Sequence, residues 1–462
     1  MKKLYTVLLA LLVSAAALVG LWSLVDVDAT ESVRENRRLA QKPKFTLSAL
    51  LDGSYVSELE TYYSDTFPGR ETLLDANSAL NKFYNFSGKE ENNMLVIDHT
   101  NNMGEGGQAM TPVDPVVPEE TQPEETVPEE TVPEEPPAEE IPEPNYEDME
   151  ITNLGAIVII GDRAMEIPTA TESIIENYAG AVNNIHNALG ENARVISLVT
   201  PNSGQFYSPK DMHSGSHDQQ AMIDLCYSKM DIDVVTVDAY SKLEKHKSEY
   251  LYFRTDHHWT QLGAYYAYTA FCDAVGWDAV DLDTFETGSY DRFLGTMYHN
   301  TSQYPQSAVL KENPDQLIYY LPKADTTAAF YANADIGSST NTTYWTYVVN
   351  AELPETEYNK YMCFMSGDHP AAMITTDVEG PVALVLKDSY GNAFLPFLTS
   401  HYSRIYVIDP REFNQDGKPS LDLAAYVAER EVDDVILVNY AYAINNAKYV
   451  KWLNRLVGLA YD

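Results

Sequence analysis

From residue 151 to the carboxyl end, short runs that are apolar at every position alternate with amphipathic stretches of helical length. A strand without polar alternation has both faces buried, so such runs belong in a parallel sheet covered by the stretches between them. The pattern predicts strands at 156–160, 194–199, 234–237, 382–386, 405–408 and 435–438. It predicts helices at 172–189, 219–230, 261–275, 393–402 and 421–429. The expected fold class is therefore α/β, a parallel sheet with helices on both faces. Between about 280 and 377 the alternation lapses into sequence rich in Tyr, Thr and Asn, read as a partly β insertion able to roof a cleft.

The first 150 residues follow other rules. Behind Lys2 and Lys3 an uncharged run covers residues 4–25, longer than the roughly 18 residues that suggest a membrane-crossing helix. Residues 1–27 are read as a signal anchor or a signal peptide, because the small residues Ser14 to Ala17 resemble a cleavage site but lie inside the apolar run. Both readings place the rest of the chain outside the cytoplasm, tethered by its own N-terminal helix or secreted if cleaved. Residues 28–100, with Leu47, Leu50, Leu51, Val56, Leu59, Tyr62 and Tyr63 at helical spacing, are expected to be a helical membrane-proximal segment. Residues 101–150 repeat Pro-Glu-Glu-Thr and are expected to be a disordered linker, since they cannot bury enough apolar surface to fold. Residues 151–462 remain as the site-bearing domain.

The formal charge of -39 repels nucleic acid phosphates and disfavours such partners, although much of the acid lies in the linker. Cys226, Cys272 and Cys363 show no paired spacing, so they offer neither a disulfide framework nor a thiolate metal site. A single disulfide from Cys363 to Cys226 or Cys272 stays open for an exported chain.

Two places carry chemistry. The first is Phe253-Arg254-Thr255-Asp256-His257-His258-Trp259-Thr260, directly before a predicted helix for which Thr260 is an N-cap. Nucleophilic catalysis needs an imidazole to take the hydroxyl proton and a carboxylate to fix its tautomer, and His258 with Asp256 supplies both from one loop. The plainer reading is a capped helix start with a core histidine. A metal reading would join Asp256, His257 and His258 to His369 or His246. Adjacent side chains diverge, however, and the His213–His217 pair encloses loop-like Ser-Gly-Ser, so no metal and no cofactor are expected.

The second place is an apolar run ending in Lys387-Asp388-Ser389-Tyr390-Gly391-Asn392. A serine at a strand-to-helix junction stands at the carboxyl edge of the sheet, where open α/β folds bind ligands. Free N–H groups at the helix start, with Gly391 and the Asn392 amide, would face a developing oxyanion. The plainer reading of Ser389 is an N-cap. Arg254, His257, Trp259 and Tyr252 are expected to line the cleft, the rings stacking on sugar faces. Asn202-Ser203 and Gly367-Asp368-His369-Pro370 read as turns that could add polar groups at the same edge.

These two segments resemble the signature segments of the DHHW family of bacterial surface proteins, which is similar to the SGNH-hydrolase-like proteins of alginate O-acetylation. The likeness extends, more weakly, from Glu35-Asn36-Arg37 and Asp65 to Arg70 toward the carboxyl end. The resemblance implies a flavodoxin-like SGNH-hydrolase fold in circularly permuted order, with Asp256 orienting His258 and His258 activating Ser389. It implies an extracytoplasmic serine esterase or O-acyltransferase, acetyl being the expected group, acting on cell-surface or exported polysaccharide. It also implies a membrane-bound O-acyltransferase as partner. The alternative is a catalytically silent polysaccharide-binding or scaffold protein of an export complex. In this chain a second histidine stands at 257, and Lys387 stands where SGNH hydrolases have glycine.

Overall fold

The computed structural model describes residues 149–336, 342–354, 357–415 and 417–459, and scattered positions between 31 and 67. The predicted membrane helix, nearly all of the membrane-proximal segment and nearly all of the linker lie outside the described residues. Among the described residues no helix is long and apolar enough to cross a membrane. The chain divides into two units, Met1–Gly106 and Gly107–Asp462. In the first, Glu31–Ser32 pairs antiparallel with Arg37–Arg38, and Tyr55, Leu59, Tyr62 and Tyr63 are helical.

The second unit begins with an antiparallel meander, β1 (Ile151–Asn153), β2 (Val158–Ile160) and β3 (Arg163–Met165). The run predicted at 156–160 as a strand of the parallel sheet is instead the middle of this meander. Its two-residue turn decides the matter: Gly161 has φ of 60° and hands the chain straight back, whereas a parallel neighbour needs a crossover of a dozen or so residues.

The main sheet holds β4 (Arg194–Thr200), β5 (Val235–Val237), β8 (Thr326–Tyr331), β9 (Thr342–Thr346), β10 (Ala371–Thr376), β11 (Val382–Lys387), β12 (Arg404–Ile408) and β13 (Asp434–Tyr440). Its order is β9-β8-β10-β12-β11-β13-β4-β5. The five strands from β12 to β5 are parallel, and β9, β8 and β10 extend the sheet antiparallel. Three strands from the region 280–377 thus continue the sheet, while β6 (Thr287–Phe293) and β7 (Asp315–Tyr320) form a separate antiparallel pair.

Alternate residues of each buried strand enter opposite cores, as the two-residue side-chain period requires. Val195, Val199, Leu384, Leu386, Val435 and Leu437 meet α1 (Glu172–Leu189), α2 (Gln219–Ser228), α7 (Leu423–Glu429) and α8 (Ala447–Leu456). Ile196, Leu198, Ala383, Val385, Ile436 and Val438 meet α3 (Ala239–Lys245), α4 (Gln261–Val275) and α6 (Gly391–Leu398) on the other face. Residues predicted as helical at 172–189 and 261–275 fill α1 and α4 end to end. Thr260 caps α4 by accepting from the Gly263 N–H, and Gly276, in the left-handed region, ends it. α5 (Thr296–Thr301) is a short helix in the connection between β6 and β7.

Candidate active site

The loop that carries the first motif is pinched at its base by an antiparallel bridge between Tyr252 and Trp259, and the Phe253 N–H donates to the His258 carbonyl. Pinching turns Tyr252, Phe253 and Trp259 into the core, each 0% exposed, and leaves Arg254 to His258 as the tip. The second motif follows β11, whose last residues are paired to β13. The Asp388 carboxylate accepts from the Tyr390 N–H, the Tyr440 N–H and Asn439 Nδ2, which ties the Ser389 turn to the end of β13. Burial raises the Asp388 carboxyl above its ordinary range, the same hydrogen bonds opposing it.

The two loops meet. Ser389 Oγ lies 2.7 Å from His258 Nε2, and His258 Nδ1 lies 2.6 Å from Asp256 Oδ1. Asp256 Oδ1 also accepts from the His258 backbone N–H at 3.0 Å, while Oδ2 accepts from the Thr296 N–H at 2.7 Å and the Thr296 hydroxyl at 3.0 Å. Burial alone would raise the Asp256 carboxyl, but His258, His257 and these hydrogen bonds hold it well below the usual carboxylate range. The Tyr361 ring stacks on the His258 imidazole with centroids 3.9 Å apart and planes 7° apart, and its hydroxyl donates to the Ser389 carbonyl at 3.2 Å. Ser389 is 7% exposed and His258 6%, so the array of carboxylate, imidazole and hydroxyl is largely buried.

The remaining expected site residues fall differently. The Gly391 N–H closes a turn onto the Asp388 carbonyl and the Asn392 N–H onto the Ser389 carbonyl, so neither is aimed at an oxyanion. The Asn392 amide donates to Asp368 instead. Glycine stands at 391 because a Cβ there would sit 2.7 Å from Lys387 Cβ and Cδ. Tyr252 and Trp259 present no ring face to a sugar: the Tyr252 hydroxyl donates to the Pro201 carbonyl, and the Trp259 indole donates to the Tyr390 carbonyl at 3.0 Å. Arg254 leans over the Tyr250 ring and toward Asp162 and Asp315. His257 is 6% exposed, with Nδ1 2.8 Å from the Thr296 hydroxyl.

Three further residues contribute: Thr296, Tyr361 and Asp368, the last in a turn expected to be able to add a polar group at this edge. Thr296 and Tyr361 carry no local signal, since each acts only through convergence of distant segments. Asp368 binds Lys387 Nζ, Asn392 Nδ2 and the Arg411 guanidinium, each at 2.7 Å, and so braces the Ser389 turn from β11 and α6. Burial would raise its carboxyl, but Lys387 and Arg411 hold it far below the ordinary range. Asn202 is buried after β4, its side-chain oxygen accepting from the Gly204 N–H and from Gln219, which makes it a turn residue with structural bonds. Asp256, His257 and His258 bring ligand-type atoms within 4.8 Å of one another. Both His258 ring nitrogens are already engaged, so an ion would have to part His258 from Ser389 or Asp256. All three cysteines are free and buried, and no disulfide joins Cys363 to Cys226 or Cys272.

At the carboxyl end of β11, Ser389 thus meets the His258–Asp256 pair of the loop before α4. The DHHW protein family matches residues 35–97 and 144–408, and the chain belongs to that family. It is similar to a DHHW family protein from Eubacterium siraeum DSM 15702 at 27% identity and a TM-score of 0.58, over 68% of this chain and 99% of that one. It shares its fold with Bacillus cereus PatB1, solved with a sulfonyl adduct, at 18% identity and a TM-score of 0.51, over 64% and 97% of the two chains. The O-acetyltransferase domain of Pseudomonas putida AlgJ matches at 13% identity and a TM-score of 0.36, over 66% and 99%. Among curated proteins nothing matches the chain.

Proposed function

We propose that this chain is a serine O-acyltransferase or esterase, acetyl being the expected group, that modifies exported or cell-surface polysaccharide. The observation that carries the reading is the unbroken line from Asp256 through His258 to Ser389, with both contacts at 2.7 Å or less. Ser389 Oγ attacks the acyl carbon of an ester and passes its proton to His258 Nε2, while Asp256 holds Nδ1–H and stabilises the imidazolium. The imidazolium then protonates the departing alcohol, leaving an acyl-serine. A sugar hydroxyl, or water, gives its proton to His258 and attacks that ester, and Ser389 recovers its hydrogen as the product leaves.

The fold shared with PatB1 agrees with this reading, and the AlgJ domain is an O-acetyltransferase by its own description. The apolar run of residues 4–25 supports an extracytoplasmic placement, tethered by an anchor or released after cleavage; a membrane-bound O-acyltransferase as donor-side partner is what the resemblance to the proteins of alginate O-acetylation implies. A sulfonyl fluoride tests the chemistry. Mass spectrometry should find one adduct, on Ser389, absent from Ser389→Ala and from native protein unfolded before labelling. An unlabelled folded protein that still binds polysaccharide would instead make it a silent binding or scaffold protein.

A further inference from the structure

We propose that His257 is a positioning residue for the triad carboxylate, acting through the hydroxyl of Thr296. The inference rests on the Ser389–His258–Asp256 reading above and assigns a task to the second histidine of the motif. Thr296 Oγ1 lies 3.0 Å from Asp256 Oδ2 and 2.8 Å from His257 Nδ1. A hydroxyl carries one proton and cannot donate to both. An ionised carboxylate can only accept, and an acceptor-to-acceptor contact at 3.0 Å with a buried anion is repulsive, so the threonine proton goes to Asp256. The threonine lone pair is then free to receive a proton donor, and the group 2.8 Å away is His257 Nδ1, which must carry N–H. Donation therefore runs from His257 to Thr296 to Asp256 on one side and from His258 to Asp256 on the other.

Two consequences follow. Chained hydrogen bonds polarise one another, so the threonine hydroxyl grips Oδ2 more strongly when His257 donates to it. With Oδ2 held by that hydroxyl and by the Thr296 N–H, the carboxylate cannot rotate, and Oδ1 stays on His258 Nδ1. The His257 ring also lies 3.8 Å, centroid to centroid, from the His258 ring, which limits tilting of the base. The titratable groups around His257 are Asp256 and His258 on its own loop and Tyr390 from the serine turn, whose hydroxyl donates to the His257 carbonyl at 2.5 Å. Tyr361 stacks on His258, and His299 of α5 interacts electrostatically with Asp256.

The test uses the full chain, p-nitrophenyl acetate as the probe, and nitrogen-15 histidine NMR. Thr296→Val should lower kcat by about ten- to a hundredfold at constant KM. It should also move the acid limb of the pH profile upward, because a carboxylate with one donor fewer holds the imidazolium proton more firmly. Thr296→Ser should restore rate and limb. His257→Asn, whose amide N–H reaches the Nδ1 position, should retain more of the rate than His257→Gln, whose amide extends past it. The NMR spectrum should show His257 protonated at Nδ1. An unprotonated Nδ1, an unmoved acid limb in Thr296→Val, or equal rates for the Asn and Gln variants would overturn the proposal. Ser389→Ala separates the two claims. If it keeps full hydrolysis, the triad reading fails by itself; if it abolishes hydrolysis while Thr296→Val behaves as wild type, only the role of His257 falls. A chain that leaves the probe intact is judged by the Nδ1 signal alone.

Discussion

Replacing Asp256 by Asn is the most demanding perturbation, because it changes one atom and one charge without changing shape. The carboxylate accepts four hydrogen bonds: from His258 Nδ1, the His258 N–H, the Thr296 N–H and the Thr296 hydroxyl. An amide can accept on one side only. If its NH2 faces Thr296, the hydroxyl can turn to accept, but the backbone N–H cannot. One buried N–H then loses its partner, which costs about 1–3 kcal/mol. If the NH2 faces His258, it meets the backbone N–H there and can be received by the ring only when Nδ1 is bare. The ring proton then sits on Nε2, pointing at Ser389 Oγ 2.7 Å away, and the base can no longer take the serine proton. The two costs are similar, so both orientations are populated, and the tautomer that can act also lacks the negative charge that stabilises the imidazolium. The expected loss in kcat for ester hydrolysis is about 10⁴-fold, as for other serine triads whose aspartate becomes asparagine. The acid limb should move to lower pH, opposite to Thr296→Val, because the charge that favours the imidazolium is gone. Stopped-flow acylation with p-nitrophenyl acetate across pH measures both. A loss below about tenfold with an unmoved limb would refute the argument that Asp256 sets the tautomer of His258.

Three further outcomes are expected. Gly295→Ala would place a Cβ 2.3 Å from Asp256 Cβ and 2.4 Å from its Oδ2, and because Asp256 is buried and held on both oxygens, the carboxylate must shift. Steady-state kinetics should show a loss in kcat of about a hundredfold, the usual result of an ångström-scale misplacement. Asp368→Ala leaves Lys387 buried and without its carboxylate, whereas Arg411 keeps Asp409, so chemical denaturation should show about 3–5 kcal/mol of destabilisation, largely recovered when Lys387→Met is added. His369 is pushed down to about 4 by burial against its ordinary 6.5, with Asp368 opposing the shift. Between those values the unfolded chain binds a proton that the folded chain refuses, so stability falls as pH drops from 6.5 to 4, by about 3 kcal/mol at most, and is unaffected above 6.5. Urea midpoints at pH 7 and pH 5 should therefore lie closer together in His369→Gln, and an unchanged gap would show that His369 does not carry the effect.

How much of this was legible in the sequence depended on how local the determining physics is. The buried strands β4, β11, β12 and β13 announce themselves, since a run such as Val382 to Leu386 has no polar face to show to water. The run at 156–160 looked the same but belongs to a meander, because its fate rests on the turn at Gly161, not on hydrophobicity. α3 and α8 went unpredicted although Asn446 caps α8 by accepting from the Lys448 and Tyr449 N–H groups, a signal open to a closer reading. Side-chain direction is the harder problem. Tyr252, Trp259 and His258 sit within eight positions of one another, and only the bridge at the base of the loop decides that the first two enter the core while the third meets Ser389.

The same limit applies to the region 280–377, expected as a partly β insertion able to roof a cleft. Thr296 holds the outer oxygen of Asp256, Tyr361 covers the His258 ring and donates to the Ser389 carbonyl, and Asp368 binds Lys387 and Asn392 on either side of the serine turn. All three come from that one region, so each member of the array is touched by it. The parallel sheet brings serine and histidine to one edge, but a strand edge alone leaves the loop tip from Arg254 to His258 free to move relative to the turn. Fixing the distance between Oγ and Nε2 requires contacts from outside both loops. That is the work of this region, whose strands β8, β9 and β10 are hydrogen-bonded into the sheet that carries Ser389. The region is accordingly a clamp on the site, and substitutions at its three contact residues should cost rate before they cost substrate affinity.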